Sequence, residues 1–287
     1  MFCTKCGHEN PDETRFCASC GAPHDVDDEP REAGVYRPKM NTGPSDIPPR
    51  DLGRLINETF RVYGQAVGPF FAIALIPELP NLLSFAVGGL TEGFLSLLSI
   101  LLGIVSTGAT IVCAGRILTG QSADVAVCYS RALNFVGRLF LASLLIFLAL
   151  AGSAILALLV IGIPLFFYLV VAWLFTPEAI IFEGMSAVDS LRRSRDLVRG
   201  SWWRLFGIGL VYVLLGLALL IPGGIAVAIS GAASPALGTV ALGLVASLIT
   251  PIFSIGSVLV YIDLRVRKEG YNLDALASDL RPRTPLQ

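Results

Sequence analysis

The stretch Leu139–Phe182, LFLASLLIFLALAGSAILALLVIGIPLFFYLVVAWLFTPEAIIF, decides the fold. Its 44 residues carry one ionisable side chain besides Tyr168, that of Glu178. A helix needs about 20 apolar residues to cross a hydrocarbon core of roughly 30 Å, so this run is two crossings with almost nothing left over. The break falls at Gly162-Ile163-Pro164, where Gly turns the chain cheaply and Pro suits the first turn of a new helix. Leu139–Ile161 and Pro164–Phe182 therefore read as a tight transmembrane helical hairpin.

Composition agrees with that reading. Of 287 residues 54% are hydrophobic and 15% charged, with a mean hydropathy of +0.71, whereas soluble domains carry about 25% charged residues. On either side of the hairpin, apolar runs at about 68–88, 94–114, 205–229 and 237–262 supply four more spans. A short loop around Glu92 separates the first two, and Ser99, Gly103 and Thr107, four apart on the second, offer a small-residue face for close helix packing. The fold class is all-α integral membrane: six transmembrane helices in three hairpins, with amphipathic interface helices. The first of these is Asp51–Gly64, where Leu52, Leu55, Ile56, Phe60 and Tyr63 recur at helical spacing.

All 21 basic residues then fall on one side of the six spans, because the loops after spans one, three and five carry no Lys or Arg. The positive-inside rule makes that side the cytoplasm and places both termini there, in a cell (inner) membrane. No signal peptide is visible in the polar first 40 residues.

Four of the six cysteines form two Cys-x-x-Cys pairs, Cys3/Cys6 and Cys17/Cys20, each followed by a Gly. Two such knuckles can surround a tetrahedral Zn2+, the glycines relieving the turns. A disulfide pair or a redox CxxC are the alternatives, and a reducing cytoplasm favours metal. His8 and His24 read as solvated surface, while Cys113 and Cys128 read as small buried hydrophobes. The domain map is thus a zinc ribbon at 1–24, a disordered acidic and Pro-rich linker at 25–49 that lets the ribbon move independently, a membrane domain at 50–270, and a C-terminal helix and tail at 271–287.

Three segments look alike: Arg61-Val-Tyr-Gly64, Asn134-Phe-Val-Gly137 and Leu197-Val-Arg-Gly200, each leading to a Phe. Gly120-Gln-Ser-Ala123 and Gly184-Met-Ser-Ala187 align upstream of the later two, and Gly270-Tyr-Asn-Leu273 is a weaker echo. One reading is a unit of interface helix plus hairpin used three times, able to enclose a shared cavity; the plainer one is that any interface helix before a span looks this way.

The first 24 residues resemble the short zinc-ribbon family found at the N-termini of many prokaryotic proteins. Glu183, Ala187, Arg193-Ser194, Leu197-Val198, Gly200 and Trp203, with Tyr261-Ile-Asp-Leu-Arg-Val-Arg-Lys-Glu-Gly270, resemble a group of prokaryotic membrane proteins that includes the membrane domain attached to some glycerophosphoryl diester phosphodiesterases. That resemblance spans roughly residues 50–280. In those phosphodiesterases a separate soluble domain does the hydrolysis, so the resemblance implies no such activity here.

Several residues are candidates for chemistry. Glu78, in Ile76-Pro-Glu-Leu-Pro80, falls near the middle of span one, where an ionisable group is expensive. It reads as a proton, cation or cavity site whose neighbouring carbonyls, freed by proline, help coordinate a ligand, or as a protonated acid holding a kink. Glu178 reads as snorkelling or ion-paired. Glu183, Arg192, Arg193, Asp263, Arg265 and Arg267 should gather at the cytoplasmic interface and include at least one carboxylate–guanidinium pair linking the segment after span four to the end of span six. Arg outnumbers Lys by 18 to 3, which suits both carboxylate pairing and lipid phosphate. Trp202 and Trp203 beside a basic helix suit anionic headgroups, or headgroup anchoring alone.

No Walker loop, HExxH or nucleophile–histidine pair emerges. The ribbon lacks the basic excess of a nucleic-acid reader, so no nucleic acid is expected and a protein partner is the better fit. The sequence thus points to a non-enzymatic scaffold or accessory protein that organises membrane lipids or partners. A small transporter or lipid translocator using Glu78 is the first alternative, and a membrane-embedded glycerophospholipid enzyme or its accessory subunit the second.

Overall fold

The computed structural model describes residues 2–3, 5–11, 14, 16–22, 49–84, 90–157, 160 and 162–280. His24, the linker apart from Pro49, and the tail 281–287 lie outside these residues. From residue 49 onward, every regular element described is a helix. These are α1 (Leu52–Gln65), α2 (Val67–Leu75), a 3-10 turn (Ile76–Glu78), α3 (Leu79–Ser84), α4 (Leu90–Leu118), α5 (Val125–Leu133), α6 (Val136–Ala157), α7 (Gly162–Ala172), α8 (Thr176–Glu183), α9 (Ala187–Val198), α10 (Trp202–Ala233), α11 (Pro235–Glu269) and α12 (Leu273–Asp279).

Five helical stretches are long and apolar enough to cross a membrane: Thr91–Leu118, Val136–Ala157, Gly162–Glu183, Trp202–Ala233 and Ala236–Glu269. They become six if the pair Leu52–Gln65 and Val67–Leu83, bent by 85°, is one broken span.

Local chemistry explains where long helices stop and short ones start. α4 is followed by Gly120, α8 by Gly184 and α11 by Gly270, all with φ between 63° and 74°, a backbone region Gly enters without a Cβ clash. A few residues later Asp124, Ser186 and Asn272 cap α5, α9 and α12 by accepting from backbone N–H groups of the first turn. Asp51 caps α1 in the same way.

The regularity sits at this stop-and-cap step. The later Gly positions of the aligned segments do not share it, since Gly200 has φ +83° whereas Gly64 and Gly137 are not among the positive-φ glycines.

Packing concentrates at one end of the helices. Leu55, Val62, Ile111, Cys113, Cys128, Phe175, Phe182, Leu197, Tyr261, Leu264 and Leu276 are all buried there in one cluster. Towards the other end, α6 and the C-terminal half of α10 present Phe147, Leu148, Ile155, Leu217, Ile221 and Ile229 outward. Exposed side chains of that kind are what a lipid-facing surface requires. α10 and α11 pack as an antiparallel pair along a glycine seam: a Cβ on Gly238 would lie 2.9 Å from Gly231 Cα, and one on Gly216 2.2 Å from the Phe253 ring.

Four expectations change. Glu92 is helical, in the first turn of α4, where a carboxylate meets the positive end of the helix dipole. Gly103 has no neighbour within 4 Å of a built Cβ; the close approaches on α4 are at Gly108, against Leu139, and Gly115, against Phe182. α1 lies lengthwise along α11, with Arg50 N donating to Asp263 (2.6 Å) and Tyr63 donating to the Leu248 carbonyl (3.0 Å), and reaches α10 through Thr59 bonded to Tyr212 (2.7 Å).

Finally, the run Pro164–Phe182 is interrupted between α7 and α8. Pro177 lacks the N–H that would bond the Trp173 carbonyl, and Thr176 Oγ1 donates to that carbonyl instead at 2.8 Å.

Candidate metal centre and polar network

The N-terminal module repeats one turn twice. Cys3 N donates to His8 O (2.8 Å) and Gly7 N to Cys3 O (2.8 Å); Cys17 N donates to Ala22 O (2.7 Å) and Gly21 N to Cys17 O (2.9 Å). Gly7 and Gly21 take φ +71° and +73°, so each Cys-x-x-Cys turn closes on a residue that needs no Cβ. The turns bring the thiols of Cys3, Cys6, Cys17 and Cys20 within 4.8 Å of one another, at 3.6 Å for Cys3–Cys20 and 3.5 Å for Cys6–Cys17.

A tetrahedral ion with metal–sulfur bonds of about 2.3 Å needs sulfurs about 3.8 Å apart, and no disulfide joins any of the four. The donor set therefore fits a metal. Asn10, buried, completes it: its amide donates to His8 O (2.9 Å) and to Cys17 Sγ (3.5 Å), and its Oδ1 accepts from Ala18 N (2.8 Å). Burial works against the Cys17 thiolate, but the N–H groups of Cys20 and Ser19 and the Asn10 amide outweigh it and bring the thiol to about 5. The ribbon also touches the helical unit: Gly21 lies against the Arg267 guanidinium and Pro49.

At the basic end of the helices the charged candidates divide into two clusters. In the first, Arg193 sits between Glu183 (2.9 Å) and Glu269 (2.5 Å), which joins α8, α9 and α11. Burial would lower the Arg193 pKa, but Glu183 and Glu269 raise it above the ordinary value. Arg265 pairs with Glu269 (3.0 Å) and Asp279 (3.0 Å) and stacks 3.7 Å over the Tyr271 ring, carrying the network to α12. Tyr261 donates to Glu183 and Tyr271 to Asp279.

In the second cluster the buried carboxylate of Asp263 accepts from Arg50 N, Arg204 (2.8 Å) and Arg267 (2.9 Å), while Arg50 pairs with Glu58. Arg192 belongs to neither; it is exposed and lies 3.5 Å from Asp189. Glu269 was legible as the residue four past Arg265, and Tyr261 lay in a quoted motif. Asn10, Arg50 and Asp279 carried no sequence signal, because their roles depend on long-range placement.

Glu78 is half-buried in the 3-10 turn. Asn81 donates to it at 3.4 Å and to Ser99 Oγ at 2.8 Å, and Gly243 of α11 lies beside it. The carbonyls freed by the two prolines are occupied. Ile73 O, which loses its helix donor at Pro77, accepts from Ser106 and Tyr129 (2.8 Å each), and Ile76 O, four before Pro80, accepts from Leu79 N; the adjacent Ala74 O accepts from Ser247 (3.3 Å) and Pro77 O from Ser99 (2.6 Å). Glu178 does not snorkel, and among the described residues no cation pairs with it. Pro177 starts α8 so that the acid turns inward, buried at 2% exposure, and accepts from Ser257 of α11 at 2.6 Å.

Fold and site together define an all-helical protein with five or six membrane-length apolar helices and an N-terminal four-cysteine metal-binding module. Residues 2–23 match the zinc-ribbon domain family. Residues 59–264 match the family described as a domain of unknown function, DUF7847, and the chain belongs to that family. Comparison with curated proteins and with solved structures returned no match.

Proposed function

We propose that this protein is a non-enzymatic, six-span scaffold or accessory protein of the inner membrane, with both termini cytoplasmic, that holds a zinc-loaded ribbon at the membrane surface for a protein partner. The apolar run at about 68–88, which holds α2 and α3, is then the first span, and the positive-inside rule orients the rest. Cys3, Cys6, Cys17 and Cys20 would hold the ion. Zn2+ in such a closed site supplies folding energy that a module of this length lacks. Kinship with the membrane-domain group of the glycerophosphoryl diester phosphodiesterases belongs to the same reading, supported by the motifs around Glu183 and Tyr261.

One observation carries the scaffold role. The carboxylates of Glu183, Asp263, Glu269 and Asp279 are spent on guanidinium pairs that tie α8, α9, α10, α11 and α12 into one unit. Groups held in mutual pairs give a rigid platform rather than a set poised to act on a substrate. Purification from native membranes tests the reading. A stoichiometric protein partner that leaves when zinc is chelated is the expected result. A chain that purifies alone, and in liposomes moves a solute or lipid in a manner abolished by Glu78→Gln, would replace the scaffold with a transporter.

A further inference from the structure

Where α7, α9 and α10 meet, the surface opens into a cleft of two chemically different parts. One, of about 390 Å³, is lined by Tyr168, Ala172, Arg195, Asp196, Arg199 and Trp202 among others. The other, of about 480 Å³, is walled by Pro164, Phe167, Trp203 and Phe206. Tyr168 and Trp202 line both, so the two are continuous.

The aromatic part is built as a platform. Trp202 stacks on Phe206 at 5.2 Å, Phe167 meets Phe206 edge-on at 6.1 Å, and Trp203 is 79% exposed. It runs on into the outward apolar side chains of α7 and α10, including Leu165, Val170, Leu210 and Val213.

The polar part is cationic. Arg195 and Arg199 are both exposed, and among the described residues neither guanidinium has an ion-pair partner, against the single carboxylate of Asp196. The negative carbonyl end of α9 is already neutralised, because Lys268 Nζ donates to the carbonyls of Asp196 (3.2 Å) and Arg199 (2.6 Å). α10 starts at Trp202, and the preceding Ser201 gives it no side-chain cap, so its positive end faces the same region.

We propose that this cleft binds an anionic glycerophospholipid, with the phosphate between Arg195 and Arg199 and an acyl chain along Phe167, Trp203 and Phe206. A free anion would leave the aromatic half unfilled, and a neutral chain would leave two guanidiniums unmatched. Only a molecule with a charged head and an apolar tail satisfies both halves. The proposal rests on the membrane-embedded reading above and is independent of the partner-holding role.

The test uses the full chain in lipid nanodiscs, carrying Trp173→Phe so that Trp202 and Trp203 are the fluorophores. Quenching is compared for bromine-labelled phosphatidylglycerol and phosphatidylcholine. The anionic lipid should quench at a roughly 25-fold lower mole fraction, the two arginines contributing about five-fold each. R195Q/R199Q should merge the two curves, and R192Q, on the same helix but outside the cleft, should leave the preference intact. Inorganic phosphate, compared with sodium chloride of equal ionic strength, should not displace the lipid.

Equal quenching by both lipids, a preference that survives R195Q/R199Q, or displacement by inorganic phosphate overturns the site. Absence of quenching by either lipid would instead overturn the membrane placement on which it rests.

Discussion

Ser106 donates its hydroxyl to the carbonyl of Ile73 at 2.8 Å, and that carbonyl is the one Pro77 leaves without its helix partner. A side chain on α4 thus repairs a break in the preceding segment, and Tyr129 on α5 donates to the same oxygen. Removing one donor leaves the other, so Ser106→Ala or Tyr129→Phe alone should destabilise by about 1 kcal/mol. The double variant strands a buried carbonyl and should lose about 2–4 kcal/mol, more than the sum of the two. Thermal unfolding in detergent distinguishes this from simple additivity, which would show that the oxygen finds another donor.

Arg193 on α9 pairs with Glu269 at the end of α11 at 2.5 Å. A double-mutant cycle with Arg193→Gln and Glu269→Gln should give a coupling of about 1–3 kcal/mol. The equivalent cycle for the exposed pair Arg192 and Asp189, 3.5 Å apart, should stay below about 0.5 kcal/mol. Equal couplings would mean that partial burial adds nothing to the first pair.

Gly256 faces Tyr212 so closely that a Cβ would lie 2.4 Å from the ring, and Tyr212 in turn is bonded to Thr59 at 2.7 Å. Gly256→Ala should therefore push the ring away from α1 and cost about 1–3 kcal/mol. Gly103→Ala, where a Cβ meets nothing within 4 Å, should be neutral or slightly stabilising. Melting temperatures that fail to separate the two variants would contradict the seam.

Chelation should unfold the N-terminal module alone. After treatment, Cys3, Cys6, Cys17 and Cys20 should react rapidly with a thiol reagent. Cys113 and Cys128, both buried in the helical core, should stay protected until global unfolding. Simultaneous labelling of all the thiols would show that the ribbon and the helices unfold as one unit.

Tyr271 is buried and donates to Asp279, and both effects raise its pKa above the ordinary value of 10.0. Its contribution is full below pH 10 and is lost as pH rises from there through the folded value, because the unfolded chain gives up the phenolic proton first. Wild type should lose melting temperature above pH 10 more steeply than Tyr271→Phe. Parallel profiles would assign the alkaline loss elsewhere.

Read from composition and period, the long apolar runs, the metal-ligand spacing of Cys3, Cys6, Cys17 and Cys20, and the basic clustering around Arg193 were already legible. Each is a local property: twenty apolar residues cannot be hidden from lipid or from a core, and Cys-x-x-Cys closes its own turn. Tertiary structure decided the rest.

It packed α1, which its period marks as an amphipathic interface helix, along α11, because Asp263 and Tyr212, more than 150 residues away in sequence, supply hydrogen-bond partners. It filled the Ile73 carbonyl that Pro77 frees with hydroxyls from α4 and α5, and buried Glu178 against Ser257. Apolar length and turn chemistry are written residue by residue. The partner of a buried polar atom depends on which helix packs against it, and only the folded chain specifies that.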